Sequence, residues 1–221
     1  MTESKEELIP KKKGLIVFVE GDTEKEFYKK LMEHLKGKCP GQKYPFDHVK
    51  RENAKGICNF KAGIVRKFKN LKNQILKDEN NKYESKRQKG IDKFDFYVVL
   101  AYDTDVFELD NKPPINWSEV EMALYNAGAK EVIHIKARQC IEDWFLSDLK
   151  GVLKFLKLSA STKLKGSNGL KRLEYAFKKA NRVYIKGKAA RGFIEALDIE
   201  LIAREHSSEL KPLCNILQIK S

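Results

Sequence analysis

The stretch that most constrains this chain is residues 14–31, GLIVFVEGDTEKEFYKKL, where an apolar run stops at a glutamate and a helical pattern starts at once. Leu15, Ile16, Val17, Phe18 and Val19 are β-branched, aliphatic or aromatic. The run is too brief for a free helix and typical of a strand buried on both faces. The strand ends at Glu20. Gly21 frees the backbone to turn, Asp22 or Thr23 is placed as an N-cap, and Phe27, Tyr28, Leu31 and Leu35 follow at helical spacing. Glu20 and Glu24 therefore flank a strand-to-helix corner, the place where open α/β sheets bind ligands.

The same alternation continues along the chain. Residues 1–13 read as a charged leader before the first strand. Residues 37–45 hold two glycines and two prolines and read as a loop, 46–50 as a short second strand, and 53–56 as a turn. Over residues 57–77, Ile57, Phe60, Ile64, Val65, Phe68, Leu71, Ile75 and Leu76 trace one helix face, with lysines on the other. Residues 78–93 are nearly all polar and read as an exposed loop. The second strongly apolar run, FDFYVVLAY at 94–102, leads into Asp103, Thr104 and Asp105. A period of two puts both aspartates on one side if the extended geometry persists.

Ser118 is placed to cap a helix over 119–127 that Gly128 stops. Residues 131–137 alternate as a strand ending at Arg138, and 141–156 carry the helical stripe Trp144, Phe145, Leu149, Leu153 and Leu156. Beyond a loop at 158–169, helices are expected at 170–180, 193–204 and 207–217, with a basic segment holding Lys186, Lys188 and Arg191 between the first two. Alternating strands and helices through residue 156 imply a mainly parallel sheet covered by helices.

Three strand ends then deliver acids: Glu20 with Glu24, Asp103 with Asp105, and Glu142 with Asp143. In a parallel sheet these sets gather along one rim, where mutual repulsion raises their pKa values unless cations are present. An oxygen-rich, histidine-free cluster suits Mg²⁺ or Mn²⁺, ions that activate water and steady a leaving oxygen in phosphodiester cleavage. The rest of the chain is basic, with 44 Lys+Arg against 31 Asp+Glu and a formal charge of +13. Such an excess points to a polyanion, most simply nucleic acid, as partner. The four cysteines form no CxxC pair and the four histidines show no zinc spacing. No apolar run approaches the roughly 18 residues of a membrane span, so a cytoplasmic protein with reduced thiols is expected.

VEGDTEKEFY followed by a hydrophobic strand ending in DTD resembles the TOPRIM domain of topoisomerases, primases and related nucleases. The EGxxE form at Glu20 to Glu24, with IED at Ile141, Glu142 and Asp143, is most similar to the overcoming-lysogenization-defect nucleases and the small TOPRIM proteins of bacterial antiphage systems. The resemblance implies a Rossmann-like TOPRIM catalytic domain over 14–156, with a helical insertion at about 57–93 and a helical C-terminal extension over 157–221 packed on it. It further implies a metal-dependent endonuclease acting on DNA or RNA. Glu20, Asp103 and Asp105 would be catalytic, and Glu20, Glu24, Asp103, Asp105 and Glu142 would hold Mg²⁺ or Mn²⁺, with Asp143 a weaker alternative to Glu142. Arg138, Lys186, Lys188 and Arg191 would contact phosphates.

No GxxxxGK[ST] motif occurs, so an ATPase would come from a partner subunit. The oligomeric state is open, a homodimer among the options. Two other readings stand beside the nuclease: a non-catalytic module that binds nucleic acid or an ATPase partner, and a haloacid-dehalogenase-type phosphatase with Asp103 as nucleophile. The phosphatase gives no account of the EGDTE corner.

Overall fold

The computed structural model describes residues 11–39, 41, 43–84, 94–104, 115–188 and 192–219. Four strands, β1 (Lys12–Val19), β2 (His48–Asn53), β3 (Phe94–Asp103) and β4 (Ala129–Ala137), form one sheet in the order β2-β1-β3-β4. Every pairing is parallel. β1 passes to one side through α1 (Asp22–Gly37), and the chain then crosses back over β1 to lay β3 on its other flank. The direction of winding reverses between β1 and β3. In a doubly wound sheet that reversal opens a crevice at the carboxyl ends of the two strands. The architecture is α/β, a parallel sheet flanked by helices, compatible with a Rossmann-like fold.

Period-two alternation divides β1 between two cores. Leu15, Val17 and Val19 join a cluster with Phe27 and Leu31 of α1 and with the C-terminal helices. Those are α5 (Ile141–Phe145), α6 (Leu149–Phe155), α7 (Gly169–Lys179), α8 (Ile199–Glu205) and α9 (Ser207–Ile216). Ile16 and Phe18 face the second cluster, built on α2 (Cys58–Ala62), α3 (Ile64–Glu84) and α4 (Trp117–Asn126). The helices beyond residue 157 thus share a core with the central strand.

Several elements depart from the sequence reading. β1 begins at Lys12, inside the expected leader, and β2 lies at 48–53 rather than 46–50. Gly63 splits the helix expected over 57–77, and its second part runs on through the expected loop to Glu84. The polar extension holds because Glu79, 2% exposed, accepts from Lys12, Lys82 and His48 and so fastens α3 to the starts of β1 and β2. Asn116 rather than Ser118 caps α4, its side chain accepting from the Glu119 N–H. The single helix expected over 141–156 is interrupted by a 3-10 turn at Leu146–Asp148, because the Asp148 carboxylate accepts from the Gly151 and Asp198 N–H groups. Residues 193–204 divide likewise at extended Leu197, after which Asp198 caps α8.

Candidate active site

The strand-to-helix corner after β1 forms without a side-chain cap. Gly21, not Asp22 or Thr23, is the N-cap of α1, in extended conformation. The reason lies in a neighbour far along the chain. The Asp22 N–H donates to the carbonyl of Gly187 at 2.8 Å, and a Cβ on Gly21 would stand 2.5 Å from the Gly187 Cα. Only glycine allows the segment 183–188 to lie this close. Gly187, at φ +76°, supplies the turn.

That segment works as a strap whose side chains alternate. Val183 and Ile185 are exposed, whereas Tyr184 is buried and Lys186 turns inward. Lys186 Nζ lies 2.7 Å from Asp103 Oδ2, and the Tyr184 hydroxyl donates to Glu142 Oε1 at 3.0 Å. Sequence reasoning missed Tyr184, and the only trace it leaves is the Tyr-x-Lys spacing in a stretch with no longer period.

The crevice between β1 and β3 collects four of the predicted acids. Asp103, the last residue of β3 and 2% exposed, gives its backbone N–H to Glu20 Oε1 at 2.7 Å. Its own Oδ1 accepts from the Ile141 N–H at 2.9 Å, at the start of α5. Glu24 is 5% exposed and Glu142 fully buried. One oxygen of each, the Oε2, is enclosed without a hydrogen-bond partner. The buried Thr23 hydroxyl is in the same condition.

The electrostatics follow from this enclosure. Burial pushes the Glu24 carboxyl up to about 7, and the charges of Glu142 and Glu20 add to the rise. Burial also raises Asp103 well above the carboxylate range, Lys186 pulls it back, and Glu20 and Glu142 raise it further. Tyr28 is pushed up first by burial and then by Asp103 and Glu24, and Tyr184 by burial and then by Glu142. Uncompensated negative charge is what this crevice has to manage.

Other predicted residues lie elsewhere. Asp105 and Arg191 fall outside the described residues. Asp143 accepts from the Cys140 thiol at 3.2 Å, so Glu142 is the member of the IED triplet that joins the acids. With Arg138, Trp144 and His206, Asp143 lines a separate cleft of about 360 Å³. Arg138 and Lys188 are exposed, and Lys186 forms the ion pair with Asp103.

As the side chains stand, no three His, Cys, Asp or Glu residues among the described residues are grouped to hold one metal ion. The donor chemistry nevertheless fits a hard cation. The donors of the crevice are all oxygen, and the unpartnered oxygens of Glu24 and Glu142 are the kind of buried acceptor that a cation would satisfy. Glu20, Glu24, Asp103 and Glu142 are the residues that would hold it.

Fold and site together define an α/β protein with a cluster of buried carboxylates at the switch point of a parallel sheet. Compared with protein-family models, with curated proteins and with solved structures, the chain finds no match in any of the three.

Proposed function

We propose that this chain is a divalent-metal-dependent endonuclease of the TOPRIM type that hydrolyses phosphodiester bonds of DNA or RNA. One observation carries the reading. Carboxylates from the end of β1, the first turn of α1, the end of β3 and the start of α5 share one crevice, two of them with enclosed, unpartnered oxygens. Leaving such oxygens unsatisfied costs about 1–3 kcal/mol each, and a protein rarely keeps several without a ligand to offset them.

A bound Mg²⁺ or Mn²⁺ would lower the pKa of a water and compensate charge on the phosphate. The protein's own groups do the rest. Asp103 and Glu20, joined through the Asp103 N–H, fix the spacing of the two central strand ends. Glu24, whose carboxyl burial holds at about 7 in the metal-free chain, would give up its proton on taking the cation. Lys186 places an ammonium beside Asp103, where it can also meet a phosphate oxygen. Antiphage defence alongside an ATPase partner is the setting that the sequence resemblance supports.

The test is cleavage of single- and double-stranded DNA and RNA with Mg²⁺ or Mn²⁺, compared with the chelated protein and with Asp103→Asn. Metal-dependent cleavage lost in the variant supports the reading, and equal cleavage by the variant ends it. The Lys186–Asp103 pair also favours a second reading, because it supplies part of the counter-charge from within the chain. In that reading the protein is a binding module, and it would retain nucleic acid without cutting it under either metal.

A further inference from the structure

A groove of about 610 Å³ runs between α1 and the edge strand β2, lined by Asp22, Lys25, Glu26, Lys29, Lys50 and Arg51. We propose that it binds the sugar–phosphate backbone of one nucleic-acid strand and leads that strand to the Glu20 corner. The destination rests on the nuclease reading, whereas the binding does not.

Lys25, Lys29 and Arg51 meet the acids Asp22 and Glu26 in this groove, while Lys50, in register with Ile16, springs from the other face of β2 at the groove's rim. Among the described residues none of these four cations forms an ion pair, whereas Lys11, Lys12, Lys30, Lys67 and Lys130 each have an acid within reach. Asp22, at the upper end, is already occupied by the Asn53 amide, which donates to its Oδ1 at 2.8 Å. Lys25 and Lys29 stand one helical turn apart, ~6 Å along α1. Lys50 and Arg51 are half-buried, so part of each stem is covered.

The upper end opens beside the crevice, since Asp22 is two residues from Glu20 and the carbonyl of Glu20 accepts from Gly56, just beyond β2. Val49 is the one apolar side chain of the lining. An acidic polypeptide would need apolar anchors that this wall lacks, whereas a phosphate backbone needs only fixed cations.

The experiment measures binding of a labelled single-stranded oligonucleotide to the full, metal-free chain by fluorescence anisotropy over a range of salt. Lys29→Gln with Arg51→Gln should weaken binding by about tenfold at moderate salt and flatten the slope of log affinity against log salt by about 1.4, roughly 0.7 per lost phosphate contact. Lys165→Gln with Lys178→Gln, in a separate pocket formed by α7 and the loop before it, should leave both unchanged. The proposal is overturned if the groove pair changes neither affinity nor slope, or if poly-glutamate binds as tightly as the oligonucleotide with the same loss. The binding assay is metal-free and so independent of the separate cleavage test: absent cleavage under Mg²⁺ or Mn²⁺ with an intact groove effect would sink the nuclease reading alone, and metal-dependent cleavage without a groove effect would sink the groove alone.

Discussion

The backbone N–H of Asp103 donates to the carboxylate of Glu20 across 2.7 Å, joining residues 83 positions apart at the carboxyl ends of the two central strands. β1 and β3 pair backbone to backbone only as far as Phe18 and Leu100. Beyond that point a side chain replaces the ladder, so the acid that closes the sheet also lines the crevice.

Asp103→Asn keeps an acceptor for the Ile141 N–H while removing the charge. Metal-dependent cleavage should fall by about 100-fold or more, the scale of losing a ligand-grade carboxylate, with an unchanged circular dichroism spectrum. Asp103→Ala strands both the Ile141 N–H and Lys186, and should cost about 1–3 kcal/mol in urea unfolding.

Glu24 carries a pH prediction. Its folded pKa, near 7, lies above the ordinary 4.5, so the folded state holds a proton that the unfolded chain has released. Its contribution to stability is complete below pH 4.5 and is lost as pH rises through 7. The full swing is on the order of 3 kcal/mol. Glu24→Gln should flatten the stability profile between pH 5 and 8, as read by thermal unfolding. Mg²⁺ or Mn²⁺ should raise the wild-type melting temperature more at pH 8 than at pH 6, because a cation prefers the ionised carboxylate.

Glu79 should behave in the opposite sense, and far from the chemistry. Burial alone would raise its carboxyl, but hydrogen bonds from Lys12, Lys82 and His48 outweigh burial and hold it at about 2. This stability is present above pH 4.5 and is lost as pH falls towards 2. Glu79→Gln should destabilise the protein at pH 7 by roughly 1–3 kcal/mol, with the difference shrinking in acid. Cleavage by the folded variant should be unchanged, since Glu79 sits at the opposite end of the sheet.

Gly21→Ala should act through sterics. The added methyl would meet the Gly187 Cα at 2.5 Å and Glu24 Oε2 at 2.8 Å, and must push the strap away. A cost of about 1–3 kcal/mol is expected, together with reduced cleavage, because Lys186 and Tyr184 leave the crevice with the strap. Unchanged stability would show that the strap is not held there.

Some of the molecule was legible because its signal is local. Leu15 to Val19 and the run into Asp103 read as buried strands from composition alone, and β1 indeed divides between two cores. Charged segments read less well. Asp78 and Glu79 look like loop residues, yet Glu79 becomes the anchor of a helix once Lys12, Lys82 and His48 donate to it. Asp148 breaks an otherwise periodic helix, because its carboxylate is taken by N–H groups at 151 and 198, one of them 50 residues away.

By itself, then, the sequence determined the strands, the main helices and the carboxylates at the strand ends, since each follows from the period of apolar residues over a few turns or pleats. Only the tertiary structure decided that Glu142 and not Asp143 joins those acids, that Tyr184 and Lys186 reach them, and that Gly21 must be small enough to admit Gly187. Those outcomes depend on which distant segments come within a few ångströms of one another. Packing of the two cores fixes that proximity, and no local pattern encodes it.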